Sequence, residues 1–211
     1  MEFKKIQLNG FKSFADKTHF LIEDGLTGIV GPNGCGKSNI VESLRWVMGE
    51  TSAKSMRGSG MEDVIFSGTS NKASKNIAEV SVTVANKDNQ GPIQFKELDE
   101  VNVRRKIEKD KGSKFYINNK EVRARDAQMF FADLSTGAHS PSIISQGRIG
   151  TLVTAKPTDR RAILEEAAGI SGLHVRRHEA ELRLNAAENN LKRADELRKQ
   201  QEKQLANLKK Q

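Results

Sequence analysis

An α/β fold is predicted, in which a glycine-rich loop joins a strand to a helix, an antiparallel meander follows, and the chain runs into a long coiled-coil helix. Three observations predict it. "GIVGPNGCGKSNIVESLRWVMGE", Gly28 to Glu50, sets closely spaced glycines between an apolar run and a segment of helical period. Later runs of alternating apolar and polar residues are separated by turn signals. The 39 residues after Gly172 contain neither Gly nor Pro.

Taken in order, "FKKIQLNGFKSF" and "KTHFLIEDGLTGIVG" read as strands, the second stopping at Gly31. "KSNIVESLRWVMG" places Ile40, Leu44, Val47 and Met48 at helical spacing, with Gly49 as its stop. "AEVSVTVAN" alternates Val80, Val82 and Val84 on one face. "EVNVRRKIEK" and "SKFYINNKEV" follow, with the turns "NKDNQGP" and "KDKGS" between the runs, so an antiparallel meander is expected. "ARDAQMFFADL" reads as a short helix and "SIISQGRI" as a strand passing into a loop. From "TDRRAILEEAAGI" onward the pattern is helical.

Beyond Gly172 the register 184, 191, 198, 205 with 187, 194, 201, 208 is apolar except at Arg198 and Gln201. A heptad stripe of this kind fits a coiled coil about 60 Å long, and it needs a partner helix to bury it. Two domains are expected, 1–168 and 169–211. No Phe, Tyr or Trp occurs from Ala132 onward, so any aromatic core is assembled before that point.

Thirty-five Lys and Arg against 27 Asp and Glu leave a formal charge of +8, which is compatible with a polyanionic partner such as nucleic acid. The single cysteine, Cys35, excludes an internal disulfide and fits a reducing compartment. The start "MEFKKIQLNGFKSF" has no basic-then-apolar leader, and no apolar window reaches the length of a membrane span, so a cytoplasmic protein without membrane contact is expected.

"GPNGCGKS", Gly31 to Ser38, satisfies G-x-x-x-x-G-K-[ST] after a predicted strand and before a helix. Gly34 and Gly36 let successive N–H groups turn inward toward phosphate oxygens, and the helix start near Lys37 adds its positive dipole end. The ammonium of Lys37 is expected to reach the terminal phosphates, and the Ser38 hydroxyl to hold Mg²⁺. Cys35 is read as inert in a loop whose backbone does the binding. His19, His139, His174 and His178 show no metal-ligand spacing. No apolar run ends in Asp-Glu, so the chain is expected to bind nucleotide far better than it cleaves it.

"GFKSFADKT", "GIVGPNGCGKSNIVESLRWVMGE", "KSMRGSGMEDVIFSGT", "SIISQGRI" and "RRAILEEAAGISGLHVRRHEAELRLNAAENNL" together resemble the N-terminal head segment of bacterial SMC (structural maintenance of chromosomes) proteins, across essentially the whole chain. The resemblance implies the N-terminal lobe of an ABC-type ATPase head, a mixed sheet with helices running into a coiled coil. The signature motif and catalytic carboxylates would lie in a C-terminal half far along the polypeptide. Pro32, Asn33, Gly34, Cys35, Gly36, Lys37, Ser38 and Asn39 would wrap the phosphates of ATP. Gln146 would ligate Mg²⁺ and help to position water, and Arg57 would reach ATP and promote hydrolysis. Lys12 and Ser13 would touch nucleotide. Cys35 departs from the Ser usual there. "LSTG" at Leu134 imitates a signature motif but stands just before the Gln loop, and is read as coincidence.

The implied partners are a C-terminal head half, a second protomer whose signature motif caps the nucleotide, a kleisin subunit with its accessory winged-helix partner, and double-stranded DNA, with Arg176, Arg177 and Arg183 as candidate contacts. Closure of two heads on two nucleotides would move the arms and entrap or translocate DNA at the nucleoid. Two rival readings compete with this one: a repair ATPase with a split head and a shorter coil, and a DNA-binding scaffold with a vestigial phosphate loop.

Overall fold

The computed structural model describes residues 2–86, 95–134, 143–144, 148–168 and 171–209. Six strands form one sheet in the order β2-β1-β3-β4-β5-β6, and every neighbouring pair is antiparallel. The strands are β1 (Glu2–Asn9), β2 (Thr18–Leu21), β3 (Ile77–Ala85), β4 (Glu100–Glu108), β5 (Gly112–Ile117) and β6 (Lys120–Val122). β3 and β4 pair over their whole length, from Ile77 with Glu108 to Ala85 with Glu100. The expected meander is therefore present, and "SKFYINNKEV" supplies two strands joined at Asn118 and Asn119, both with φ in the left-handed region that Asn tolerates.

Alternation along the strands builds the core. Ile6 and Leu8, Val80, Val82 and Val84, Val101, Val103 and Ile107, and Phe115 and Ile117 are all buried on one face. Against them pack Ile40, Trp46 and Val47 of helix α1 (Lys37–Val47) and Ala127, Phe130 and Phe131 of helix α2 (Ala124–Asp133). The opposite face carries Gln7, Thr83, Asn102, Arg104 and Tyr116. There Arg104 stacks 4.4 Å from the centre of the Tyr116 ring and pairs with Glu79.

One inward position of β4 holds a cation. Arg105 is 3% exposed, and its fork donates to the carbonyl oxygens of Trp46 (2.8 Å) and Glu50 (2.7 Å) and, through Nε, to Ser113 Oγ (2.7 Å). Its guanidinium lies 4.5 Å from the centre of the Trp46 ring and 4.7 Å from that of Phe115. Burial lowers its pKa to about 10, against the opposing pull of Glu50, so it remains cationic at neutral pH. The Trp46 carbonyl oxygen, near the end of α1, accepts from the N–H of Gly49 at 3.1 Å, and Arg105 supplies it with a second donor from the sheet. In this way β4 fixes the end of the helix whose start bears the phosphate loop.

β1 stops at Gly10, whose φ of 63° is left-handed and whose missing Cβ would fall on the carbonyl oxygen of Ile77 in β3. The expected strand leading to Gly31 is present only as β2. From Ile22 to Gly36 no strand forms, and Leu26 and Val30 are almost wholly exposed, at 101% and 94%. Both are apolar, as residues of a buried strand would be. A strand also needs a hydrogen-bonding neighbour, and the described residues offer none here. "SIISQGRI" likewise differs from expectation: Ile143 and Ile144 are not in a strand, and from Arg148 the chain is helical (α3, Arg148–Thr154), followed by α4 (Pro157–Ala167).

The chain divides into two compact units, residues 1–171 and 172–211. Helix α5 (Ser171–Leu208) makes up nearly all of the second. Its Leu184, Leu191, Leu205 and Leu208 are exposed, as a heptad stripe awaiting a partner helix would be.

Candidate nucleotide-binding site

The phosphate loop is shaped by glycine conformation. Gly34 and Gly36 have φ of 83° and 94°, and Gly36 is the N-cap of α1. A Cβ at Gly36 would overlap Ser13 Oγ, so the close approach of the "GFKSF" turn to the loop depends on its absence. No side chain caps the first turn of α1 and no acidic residue lies in it; the N–H of Asn39 donates to the Gly36 carbonyl oxygen at 2.9 Å, and those of Lys37 and Ser38 are left for an anion.

The ammonium of Lys37 folds back over the loop and donates to the carbonyl oxygens of Gly31 and Pro32, 2.5 Å from each, with Cys35 Sγ 3.8 Å away. An open cleft of about 310 Å³ is lined by Asn33, Gly34, Gly36, Lys37, Ser38, Asn39 and Arg57. The structure thus gathers Arg57 and the phosphate-loop residues at one cleft. Ser13 joins them by accepting from Asn39 Nδ2 at 2.9 Å. Lys12 is engaged elsewhere, donating to Glu42 and to the Met56 carbonyl oxygen at 2.5 Å. Gln146 lies outside the described residues. Ile144, two positions before it, lines a neighbouring cleft with Ser38, Glu42 and Arg57.

Arg57 stands in the turn "SMRGSG" with a left-handed φ of 56°. Its Nη2 donates to Asn39 Oδ1 at 2.9 Å and its Nε contacts Glu42. The turn is held from beyond by Asp63, which accepts from Ser59 N (2.6 Å), Ser59 Oγ (2.9 Å) and Gly60 N (2.9 Å). The hydrogen bond from the Gly60 N–H, then those from the Ser59 hydroxyl and N–H, hold its carboxyl below the ordinary value of 3.8.

Of the other residues singled out, Cys35 is exposed, Arg177 pairs with Glu181 at 3.3 Å, and Arg183 is also engaged. The side chain of Arg176 and the segment 135–142, which includes His139, lie outside the described residues. Among the described residues no group of three His, Cys, Asp or Glu could hold a metal ion, and no helix is long and apolar enough to cross a membrane. Sequence reasoning missed Glu42 and Arg105. The first signal was available, since Glu42 lies one helical turn beyond Ser38. So was the second, since Arg105 continues the buried phase of Val101 and Val103.

A phosphate loop at the head of a helix, carried by an antiparallel sheet and leading on to a coiled-coil helix, defines the N-terminal lobe of an ABC-type P-loop ATPase head. The chain belongs to the RecF/RecN/SMC N terminal domain family, whose model matches residues 2–148. It is 57% identical over 197 residues, 93% of the chain, to the chromosome partition protein Smc of Cereibacter sphaeroides, and 53% identical over its whole length to that of Rhodopseudomonas palustris. It spans 17% and 18% of the lengths of those two relatives. Among solved structures it is similar to the Smc head domain with an extended coiled coil bound to the C-terminal domain of ScpA from Pyrococcus furiosus. There the TM-score is 0.74 at 33% identity, covering 93% of this chain and 49% of that one. A structure described under ATP-driven dimerization and DNA-stimulated activation of SMC ATPases matches with a TM-score of 0.67 at 33% identity, covering 79% of this chain and 99% of that one.

Proposed function

We propose that the chain grips the triphosphate of ATP at Gly31–Ser38 and serves as the N-terminal half of the head of an SMC protein that organises and segregates the bacterial chromosome. The observation that carries this reading is the posture of Lys37. Its ammonium rests on two neutral carbonyl oxygens beside an uncapped helix start, and a phosphate would offer it a charge-assisted partner in their place. Asn33 to Asn39 would enclose the phosphates, with Pro32 fixing the entry to the loop, and Ser13 and Arg57 would close the rim.

Mg²⁺ would be held through the Ser38 hydroxyl, phosphate oxygens and water, with Gln146 as the further ligand that the resemblance implies. Bound there, the ion would neutralise phosphate charge during hydrolysis. Ser38 would orient it, and Lys37 and Arg57 would stabilise the charge on the phosphates. The carboxylates for hydrolysis and the signature motif would come from a C-terminal head half and a second protomer. The bare apolar residues Leu26, Ile29 and Val30 support docking of another segment beside the phosphate loop.

The ScpA-bound and DNA-stimulated SMC neighbours support a kleisin and DNA as further partners, and the resemblance adds the kleisin's accessory winged-helix partner and a place in the cytoplasm at the nucleoid. Titration of MgATP onto the chain tests the core of the reading. Lys37→Ala should weaken binding by about 100-fold with little change in melting temperature. Equal affinities for parent and variant would remove the phosphate site and favour a scaffold.

A further inference from the structure

We propose that Glu42 is a positioning residue for Arg57, a shared counter-ion that holds the guanidinium at the mouth of the phosphate cleft. The inference rests on the nucleotide-binding reading above. Glu42 follows Ser38 by one turn of α1, so both side chains leave the same face of the helix. Its two carboxylate oxygens are divided: Oε2 receives Lys12 Nζ, and Oε1 receives Arg57 Nε. Lys12 also donates to the carbonyl oxygen of Met56, the residue next to Arg57, so the carboxylate and the backbone of the arginine turn share one ammonium.

Exposure separates the roles. The side chains of Glu42 and Lys12 are 11% and 13% exposed, and that of Arg57 is 58% exposed. The buried pair is a base, and the arginine runs from it to the cleft. Nε of Arg57 is taken by Glu42 and Nη2 by Asn39, and no partner of Nη1 lies among the described residues. Lys12 and Arg57 both have left-handed φ, 47° and 56°, so two uncommon turns meet on this carboxylate. A long surface arginine ordinarily loses rotamer freedom when it closes on a phosphate. One already held at Nε and Nη2 has lost that freedom beforehand, and its remaining N–H donors stay at the cleft that Arg57 lines.

A double-mutant cycle on the 211-residue chain tests the proposal, with MgATP affinity by calorimetry and melting temperature read for each variant. The parent should bind. Arg57→Ala and Glu42→Gln should each weaken binding by about five-fold, and the double variant should be no weaker than Arg57→Ala alone. Glu42→Asp keeps the charge opposite Lys12 but withdraws it by one methylene. It should melt close to the parent and still lose affinity, which a residue needed only to neutralise Lys12 would not. Failure of the parent to bind would overturn the phosphate-site reading and this inference with it. With the parent binding, losses that multiply in the double variant, tighter binding by Glu42→Gln, or parental affinity in Glu42→Asp would each overturn the role of Glu42 alone.

Discussion

The guanidinium of Arg105 lies 4.5 Å from the centre of the Trp46 ring and donates to the carbonyl oxygen of that same residue at 2.8 Å. One side chain of the sheet therefore holds both the aromatic face and the backbone end of the phosphate-loop helix. Arg105→Ala would leave the Trp46 and Glu50 carbonyls buried without that donor. It should destabilise the fold by about 3 kcal/mol and lower the melting temperature by about 6 °C or more. Arg105→Lys, which keeps the charge and loses the fork, should fall between. Circular dichroism melts decide the matter, and a shift under 1 °C for the alanine variant would show that the contact does not anchor α1.

Gly36 links loop shape to ligand. Its φ of 94° disfavours any side chain, and a Cβ there would meet Ser13 Oγ. Gly36→Ala should reduce MgATP affinity by about ten-fold or more, and the strain of a side chain at that φ, beside Ser13 and Phe14, should also lower the melting temperature by a few degrees. Parental affinity in this variant would mean that the loop binds in another conformation.

The turn carrying Arg57 should respond to acid. The carboxyl of Asp63 is held below 3.8 in the folded chain by the N–H of Gly60 and by the hydroxyl and N–H of Ser59. A depressed acid contributes its stability above the unfolded value and loses it as pH falls through the lower folded one. The amide resonances of Ser59 and Gly60 should therefore titrate with a midpoint below 3.8, and Asp63→Asn should abolish that titration. A midpoint at or above 3.8 would contradict the hydrogen-bonded geometry.

Turnover should need a second polypeptide segment. The chain alone should bind MgATP and hydrolyse it at a rate near background, and addition of a matching C-terminal head half should raise the rate by at least about 100-fold. Rapid hydrolysis by the purified chain would end the divided-site proposal.

The glycine-shaped turn before α1 and the β3–β4–β5 meander were legible because each rests on local chemistry: glycines where φ is positive, and valines at a period of two. The strand expected up to Gly31 was not, because strand formation depends on a neighbour, which no apolar run encodes. The Glu42 junction was hidden for a related reason. Lys12, Glu42 and Arg57 are separated by 30 and 15 positions, and only the folded turns bring them together. Arg105 was readable in principle from the phase of β4, but a charged residue at an inward position looks like an interruption until its carbonyl partners are known.

The bare stretch at Leu26, Ile29 and Val30 also bears on handling. Exposed aliphatic groups outside any strand form a surface on which two copies of the same chain can adhere. Concentrated preparations should scatter more light than dilute ones, and a lysine at position 26 or 30 should keep the protein dispersed without altering its phosphate loop.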